Sequence, residues 1–360
     1  MRKLRVSAPG RICLFGEHQD FLGLPVIAAA INLRFYIQGI RRQDSYIRFS
    51  MPDIDETDEL NLLEQLYYRG KRDYLRSSIN VLRKSGWSIE YGWDCVLWSK
   101  IPINAGVSSS SAMTVAWLCF LLESADGRLR YSSEDIARLA HQAEVVEFGE
   151  PGGMMDHFAS ALGGIIYVDC RPPFHVHRLT VELDGLVLGD SLEKKETLDV
   201  LASSKHDVLE GLRFIAERYS NFDLYSTQLA EVEHLIEQLP EAVARKVRAN
   251  FVNRDLTREA LDVLLSNNID QRRLGKLLTL HHEQLRDGIG VSTPKIDRMV
   301  EAALDAGAVG AKINGSGGGG CMFAYAPGSE DAVVEALERV GGKAYKVKVD
   351  EGVRVEESVY

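Results

Sequence analysis

Residues 102–112 read PINAGVSSSSA and lead directly into an apolar stretch, 111–122, that has the length of a helix. A loop of small residues before a helix exposes unpaired backbone N–H groups at the positive end of the helix dipole, which favours a polyphosphate ligand. Serine hydroxyls at the same place are potential magnesium ligands. A flexible serine-rich turn, with a serine capping the helix, is the alternative interpretation. No Gly-Lys-Ser/Thr sequence follows Gly106, so this is not a Walker A loop.

The segment 9–20, PGRICLFGEHQD, places Arg11, Glu17, His18 and Asp20 around an apolar turn within ten residues. Burying even one charge is costly, so a cluster this dense in a loop between strands usually binds a polar ligand. An ion-paired turn without a ligand is the alternative interpretation. The segment therefore marks a candidate binding site near the N-terminus.

A third loop, 314–321, reads NGSGGGGC and lies between two predicted strands, 311–314 and 321–326. Five of its eight residues are glycine. Ordering glycine is entropically costly, so such a cluster implies positive φ angles or the close approach of a ligand or another backbone segment. A wide hairpin loop is the alternative interpretation.

Two acidic residues, Glu144 and Asp156, lie twelve positions apart, and Asp156 ends the sequence Gly-Gly-Met-Met-Asp. An aspartate held beside a substrate hydroxyl could accept its proton, and a second acid could hold a metal ion. His157, which follows Asp156, is interpreted as a packed or surface histidine. His281 and His282 are adjacent and not four residues apart on their predicted helix, so they are interpreted as structural.

The composition excludes several classes of protein. A length of 360 residues suits two domains, and 45% hydrophobic with 26% charged residues is typical of a globular protein. The net charge of −10 disfavours a nucleic-acid partner. Five cysteines without a CxxC pair argue against a disulfide framework and a structural zinc site. Without a signal sequence, a membrane-length apolar run or a GxGxxG motif, we expect a reduced cytoplasmic protein with neither a membrane partner nor a Rossmann dinucleotide site.

The pattern of apolar residues predicts a mixed α+β protein without regular βαβ alternation. A short strand is predicted from Arg5 to Ala8, ending at Pro9-Gly10, and helical spacing is predicted over 53–84. The chain is divided into two predicted domains, 1–180 and 181–360. The second begins with a long series of polar amphipathic helices.

Taken in this order, the three loops resemble the motifs of the GHMP kinase superfamily. Those motifs are a Pro-Gly-Arg/Lys segment ending in Gly-Glu-His-x-Asp, a Pro-x-x-x-Gly-Leu-x-Ser-Ser phosphate loop, and a glycine-rich loop ending in Gly-Gly-Cys. The galactokinase branch is the most similar, because it carries Ala-Glu, Gly-Ile-Met-Asp-Gln and Asp-Cys-Arg where this chain has 143–144, 153–157 and 169–171. The resemblance covers nearly the whole chain. It implies a two-domain GHMP kinase fold, with a left-handed βαβ crossover in the N-terminal domain and a ferredoxin-like C-terminal domain.

The resemblance also implies roles in an ATP- and Mg²⁺-dependent kinase. Asp156 would be the catalytic base with Arg11 as its partner, and whether Asp156 abstracts the proton or mainly positions the hydroxyl stays open. Ser110 and Glu144 would hold the magnesium ion. The substrate-binding residues would be Glu17, His18, Asp20 and Gly153, and the ATP-binding residues Pro102, Gly106, Val107, Ser108, Ser109, Ser110, Ser111, Gly317 and Gly318. ATP and substrate would share a cleft between the domains, where the loops 102–112 and 314–321 would meet Asp156.

The implied activity is phosphorylation of a sugar hydroxyl, with the anomeric C1 hydroxyl as the expected acceptor. The chain departs from galactokinases at 19–23, which reads QDFLG where they have Thr-Asp-Tyr-Asn, and at 317–321, which is closer to mevalonate kinase. Lost hydroxyl partners can change specificity by orders of magnitude, so a uronic acid, pentose or heptose fits the sequence as well as galactose. A kinase of a non-sugar alcohol such as mevalonate, and a catalytically silent galactokinase-like sensor, are the alternatives.

Overall fold

The computed structural model describes residues 2–103, 105–125, 130–150, 152–193 and 198–359, with only the backbone described for 198–204 and 358–359. The strands of this part are β1 Lys3–Phe15, β2 Val26–Arg41, β3 Tyr46–Met51, β4 Glu56–Asn61, β5 Trp93–Ser99, β6 Ile165–Asp169, β7 His175–Leu179, β8 Leu186–Asp190, β9 Gly310–Ile313, β10 Cys321–Tyr325, β11 Lys343–Val347 and β12 Arg354–Val359. The α-helices are α1 Tyr74–Lys84, α2 Ser109–Ser124, α3 Ser133–His141, α4 Met155–Leu162, α5 Leu198–Ala216, α6 Leu229–Ile236, α7 Glu241–Leu265, α8 Gln271–Glu283, α9 Pro294–Asp305 and α10 Glu330–Arg339. A 3₁₀ turn covers Asp20–Leu22, and π-helical turns cover Gln142–Val146 and Gln284–Ile289.

The larger of two sheets contains eight strands in the order β12-β1-β2-β5-β3-β4, with β6 paired to β2 and β7 paired to β6. β3 and β5 run parallel and are connected through β4 and α1. This is the place of the expected βαβ crossover, whose left hand stays a prediction. Helix α2 packs on β1 and β2, and its Trp117 and Phe120 side chains are fully buried. Because α2 is apolar on all sides, it is a core helix, and Ser110 in its first turn is exposed.

Strand β1 does not end at Pro9-Gly10 as predicted but continues to Phe15. A register shift between Pro9 and Gly10 accommodates the proline without breaking the pairing with β2. Gly10 allows another backbone to approach, since a Cβ atom there would lie 2.8 Å from the carbonyl oxygen of Val107. The backbone N–H of Arg11 donates to that same oxygen at 3.2 Å. The Arg11 side chain is therefore held by a strand and not by a loop.

The helical spacing predicted over 53–84 is wrong for the first part of that segment. Glu56–Asn61 is strand β4, which pairs with β3 in a hairpin, and the helix begins only at Tyr74. Leu60 is buried, whereas Leu63 and Tyr67 are exposed, so the apolar residues do not share one helix face. Alternating charged side chains suit an edge strand, because they point to solvent on one face and discourage pairing with another chain.

The smaller sheet is antiparallel, in the order β11-β8-β10-β9, with α9 and α10 packed on it. In chain order its strands stand fourth, first, third and second, which is the ferredoxin-like arrangement that the resemblance implies. The predicted boundary at 180/181 lies between β7 and β8, the last strand of the first half and the first strand of this sheet. That boundary stays a prediction. After β11 the chain returns to the larger sheet, where β12 pairs with β1. The mixed α+β, two-domain fold is confirmed.

All five cysteines are buried, and none of them forms a disulfide. Among the helices described, none combines the length and the apolar character that crossing a bilayer requires.

Candidate active site

A cavity of about 830 Å³ lies beside the carboxyl end of β1. Its wall combines Arg11 of β1, Asp20 of the 3₁₀ turn, Ser111 of α2, Asp156 of α4 and Ser316 of the loop after β9. Both halves of the chain therefore contribute to one concave site, as a ligand pocket between domains would require.

The centre of the cavity wall is a bidentate ion pair between Arg11 and Asp156. Arg11 Nε and Nη2 donate to the two carboxylate oxygens at 2.7 and 2.9 Å, and Nη1 donates to the carbonyl oxygen of Gly106 at 2.6 Å. The Asp156 side chain keeps 29% of its surface exposed, whereas Arg11 keeps 6%. The carboxylate can thus reach a ligand in the cavity, while the guanidinium supports it from behind.

The pKa of Asp156 reflects two opposing effects. Burial alone would raise it, but the charge and hydrogen bonds of Arg11 outweigh burial and hold the pKa of Asp156 below its usual value. Asp156 also lies in the first turn of α4, where the helix dipole favours a negative charge. The carboxylate is therefore ionised at neutral pH.

A second carboxylate, that of Asp20, faces the same space. A side chain at Gly153 would overlap Asp20 Oδ2, so the glycine gives this carboxylate its room. Burial raises the pKa of Asp20, and the negative charge of Asp156 adds to the rise. Asp20 and Gly153 thus lie side by side at the cavity wall, near enough to Asp156 for its charge to act on Asp20.

The N-terminus of α2 also contributes to the cavity wall, through Ser111. Ser108 adopts a left-handed conformation with φ of +58°, and its side chain makes no capping hydrogen bond to the helix. Ser109 and Ser110 begin the first turn, Ser110 is exposed, and Ser111 lines the cavity. Without a side-chain cap, the first N–H groups of the helix are available to an anion.

The two loops that the sequence analysis expected to converge do so. Asn314 Nδ2 donates to the carbonyl oxygen of Gly106 at 2.8 Å, and the N–H of Cys321 donates to that of Ala105 at 2.9 Å. Gly315 has a φ of +76°, and a Cβ atom there would lie 2.7 Å from the Gly106 oxygen. Glycine is required here by close contact between two loops. Asn104 lies outside the described residues.

The remaining phosphate-loop candidates lie near this junction. Pro102 is half-buried between β5 and α2, and Val107 is buried with its carbonyl oxygen bound to Arg11. Gly317 and Gly318 pack against Val291, and the N–H of Gly318 donates to its carbonyl oxygen at 2.8 Å. These two glycines shape the inside of their loop, whereas Gly315 and Ser316 line the cavity.

Glu144 lies on the π-helical turn after α3, at the cavity wall. Its Oε2 atom is 2.9 Å from His157 Nε2, and both side chains are at least nine-tenths buried. His157 is therefore packed, as expected, but against the predicted metal ligand. A carboxylate at the cavity wall and an exposed Ser110 hydroxyl at a helix start are oxygen donors of the type that Mg²⁺ binds together with substrate phosphates. The residues present thus fit a magnesium ion, although the described residues contain no cluster of three His, Cys, Asp or Glu side chains that could hold a metal.

Glu17 and His18 also lie at the wall of the cavity. The Glu17 carboxylate is 2% exposed and forms an ion pair with Lys312, which is fully buried and also donates to the carbonyl oxygen of Cys13 at 3.1 Å. His281 Nδ1 lies 3.6 Å from Glu17 Oε2. The carboxylate thus connects β1 with β9 of the smaller sheet. Lys312 was not predicted as a site residue, although a lysine inside a short apolar strand indicates a buried charge that needs a partner.

Three further charged groups at the cavity escaped prediction. Arg72 is paired with Glu150 at 3.0 Å, and Arg171 is paired with Asp169 at 2.6 Å. Lys205 of α5 places its ammonium group 5.0 Å from the ring centre of Phe21. Arg171 ends the Asp-Cys-Arg match at 169–171, which gave no indication that it reaches the cavity. Arg72 and Lys205 stand on separate elements without a motif around them, so the sequence offered no local signal for these two.

Comparison with known proteins places these features in a family. The GHMP kinases N terminal domain matches residues 73–164, the GHMP kinases C terminal domain matches residues 258–343, and the galactokinase galactose-binding signature matches residues 2–40. The mevalonate kinase of Pyrococcus furiosus is 32% identical over 99% of both chains. The galactokinase of Mannheimia succiniciproducens is 29% identical over 94% of this chain and 87% of its own. The structure of Lactococcus lactis galactokinase complexed with galactose shares the fold, with a TM-score of 0.83 at 22% identity over 98% of this chain and 95% of that one.

Proposed function

The chain belongs to the GHMP kinase family, and from that premise we propose that it transfers the γ-phosphoryl group of ATP to a sugar hydroxyl, with the anomeric C1 hydroxyl as the acceptor. The observation that carries the proposal is the Arg11–Asp156 pair. It lies between the uncapped N-terminus of α2 and an acceptor end that contains Asp20 and Gly153. A phosphate donor at the first and a hydroxyl at the second would meet at Asp156.

Asp156 accepts the proton of the attacking hydroxyl in this proposal. The hydroxyl O–H bond breaks, a bond from its oxygen to the γ-phosphorus forms, and the bond between that phosphorus and ADP breaks. Because Arg11 lowers the pKa of Asp156, the carboxylate is a weak base that orients the hydroxyl and takes the proton late. Such a role suits phosphoryl transfer, in which the loose transition state needs alignment more than strong base catalysis. Arg11 also balances the negative charge beside the transferred group.

The phosphates of ATP are assigned to residues 106–111, which lead into the N-terminus of α2, where the side chain of Ser108 makes no capping hydrogen bond and Ser111 lines the cavity. Pro102, Gly317 and Gly318 shape the surrounding loops. Ser110 and Glu144 are the residues that would hold magnesium, which when bound neutralises charge on the phosphates.

The acceptor end offers complementary groups for a polyol. Asp20 can accept hydrogen bonds from hydroxyls, and Lys205 and His18 can donate to hydroxyl oxygens. Glu17 contributes at the wall of the cavity while its carboxylate stays paired with Lys312. A cavity with several polar groups at one end is suited to a sugar, because each hydroxyl needs a partner when it leaves water.

A non-sugar alcohol is the second candidate, because a mevalonate kinase is 32% identical over 99% of both chains. A silent sensor has less support, since Arg11, Ser110, Glu144 and Asp156 are all present.

The test is an ADP-release assay with Mg·ATP across hexoses, pentoses, uronic acids, heptoses and mevalonate. Turnover with a sugar is the expected result, and the product should lose its reducing end, because a phosphate on C1 locks the anomeric carbon. A product that stays reducing would place the phosphate elsewhere, and turnover with mevalonate alone would favour the second candidate. ATP binding without turnover on any acceptor would favour the sensor.

A further inference from the structure

We propose that His157 is a positioning residue for Glu144: it fixes this carboxylate at the cavity wall in the orientation that receives a divalent cation. The inference rests on the proposed function, because it concerns the ion that accompanies ATP. It assigns to His157 a task that the sequence, which suggested only a packed or surface histidine, did not suggest.

The polar contacts of the His157 ring point to this task. The ring is 2% exposed, and Nε2 lies 2.9 Å from Glu144 Oε2. Nδ1 is buried without a hydrogen-bond partner among the described residues. A ring with its proton on Nε2 donates to Glu144 and leaves Nδ1 as an acceptor, whereas a proton on Nδ1 would be a buried donor without an acceptor. The ring therefore directs one N–H donor at a single carboxylate oxygen of Glu144.

The surroundings hold the ring in this direction. His157 lies in the first turn of α4, and the ring of His141 packs edge-on against it with 5.5 Å between the centroids. Glu144 stands on the π-helical turn, a rare geometry that often marks functional sites. Helices α3 and α4 thus bring the two side chains together across the cavity wall.

The number of carboxylate oxygens that the donor occupies matters for cation binding. A buried carboxylate needs a hydrogen-bond donor, but a bidentate guanidinium occupies both oxygens, as Arg11 does for Asp156. The imidazole of His157 bonds one oxygen of Glu144 and leaves the other for a metal ion. Outer partners of this kind orient metal ligands, and their loss typically weakens metal binding by about 10- to 100-fold.

The experiment uses three variants of the full chain and Mn²⁺ as the probe. His157→Leu removes the donor, His157→Gln keeps an N–H donor, and His177→Leu makes the same change at an exposed position on β7. Electron paramagnetic resonance measures the Mn²⁺ affinity in the presence of ADP, and calorimetry measures the affinity for metal-free ADP. We expect His157→Leu to bind Mn²⁺ about 10- to 100-fold more weakly, with unchanged affinity for metal-free ADP. His157→Gln and His177→Leu should stay close to wild type.

Wild-type Mn²⁺ affinity in a folded His157→Leu variant would overturn the proposal. Equal losses in His157→Leu and His157→Gln would also overturn it, because they would trace the effect to ring packing and not to the donor. If His157→Leu does not fold, the double variant Glu144→Leu/His157→Leu, which removes both polar partners, should fold and bind Mn²⁺ no more weakly than Glu144→Leu alone. A further loss in the double variant would refute the proposed coupling.

The failure of this inference can be told apart from failure of the proposed function. Turnover by the wild type with normal Mn²⁺ binding by His157→Leu would remove only the positioning role. A wild type that neither binds Mn²⁺ with ADP nor phosphorylates any acceptor would remove both.

Discussion

Replacing Asp156 by asparagine should abolish most of the catalytic activity and leave nucleotide binding intact. The Asp156 carboxylate is paired with Arg11 at the cavity wall and has a lowered pKa, whereas burial raises the pKa of the neighbouring Asp20 carboxyl. An amide oxygen can still accept one hydrogen bond from Arg11 but cannot take the proton of the hydroxyl. The loss of a general base costs about 10²- to 10⁴-fold in rate, which corresponds to roughly 3–5 kcal/mol of barrier.

The same substitution has a smaller effect on stability. The amide nitrogen of asparagine would face one guanidinium nitrogen of Arg11, so one charge-assisted hydrogen bond is lost, at about 1.5–3 kcal/mol. Relief of the repulsion between Asp156 and Asp20 offsets part of this loss. Since Arg11 keeps its bond to Gly106, the variant should fold, with an unfolding free energy about 1–2 kcal/mol lower.

The dependence of this stability loss on pH follows from the sign of the pKa shift. The pKa of Asp156 is lowered on folding, so its ion pair contributes fully above the unfolded value of about 3.9 and is lost as pH falls through the folded value. The difference in stability between wild type and Asp156→Asn should therefore be constant from pH 7 to 5 and should close below about pH 4.

The assay combines kcat and KM from ADP release, calorimetric ADP binding and urea unfolding. Asp20→Asn is the matched control, because it makes the same chemical change in the same cavity and should mainly raise the KM for the acceptor. A folded Asp156→Asn variant that retains a third of the wild-type kcat would refute the role assigned to Asp156. An equal fall of kcat in Asp20→Asn would mean that the two carboxylates were assigned wrongly.

Three further predictions concern other parts of the structure. Gly153→Ala should displace the Asp20 carboxylate, which would weaken acceptor binding by at least about 10-fold in KM while ADP binding stays unchanged, and an unchanged KM would contradict the geometry. Gly317→Ala forces a side chain into a φ of +79° and against the Val291 carbonyl oxygen, so denaturation should show a loss of about 1–2 kcal/mol or more, together with weaker ADP binding. Burial lowers the pKa of His282 to about 4. As pH falls below the unfolded value of about 6.5, the unfolded chain binds a proton that the folded ring does not, so the free energy of unfolding decreases. His282→Leu should flatten this part of the stability profile by up to about 3 kcal/mol, and an unchanged slope would argue against a buried neutral ring.

Much of the site was predictable because its backbone requirements are local. Glycine clusters indicate positive φ angles and close backbone contacts wherever they fold, and the loop 314–321 meets Gly106 and Ala105 in that way. A small-residue loop before an apolar run predicts a helix N-terminus free to bind an anion, and α2 begins at Ser109. The order of the three loops and the residue types of Arg11 and Asp156 indicated the chemistry.

The spacing of apolar residues gave a wrong prediction where a helix and a strand followed by a loop can show the same spacing. Leu60 and Leu66 are both buried, yet Leu60 belongs to a hairpin strand and Leu66 to the irregular segment after it, since pairing with β3 outweighed helical spacing. In the same way β1 continued past Pro9 because a bulge removed the conflict between proline and the strand pairing.

The sequence by itself determined which charged groups the protein possesses and which backbone turns it can make. Only the tertiary structure decided how those charges are paired: Arg11 with Asp156 across 145 positions, Glu17 with Lys312 across 295, and His157 with Glu144 between two helices. A side chain gains from a partner only within a few ångströms, and the packing of distant elements sets that distance. The sequence therefore named the groups of the candidate site, and the fold decided which carboxylate is held by a guanidinium and which by an imidazole.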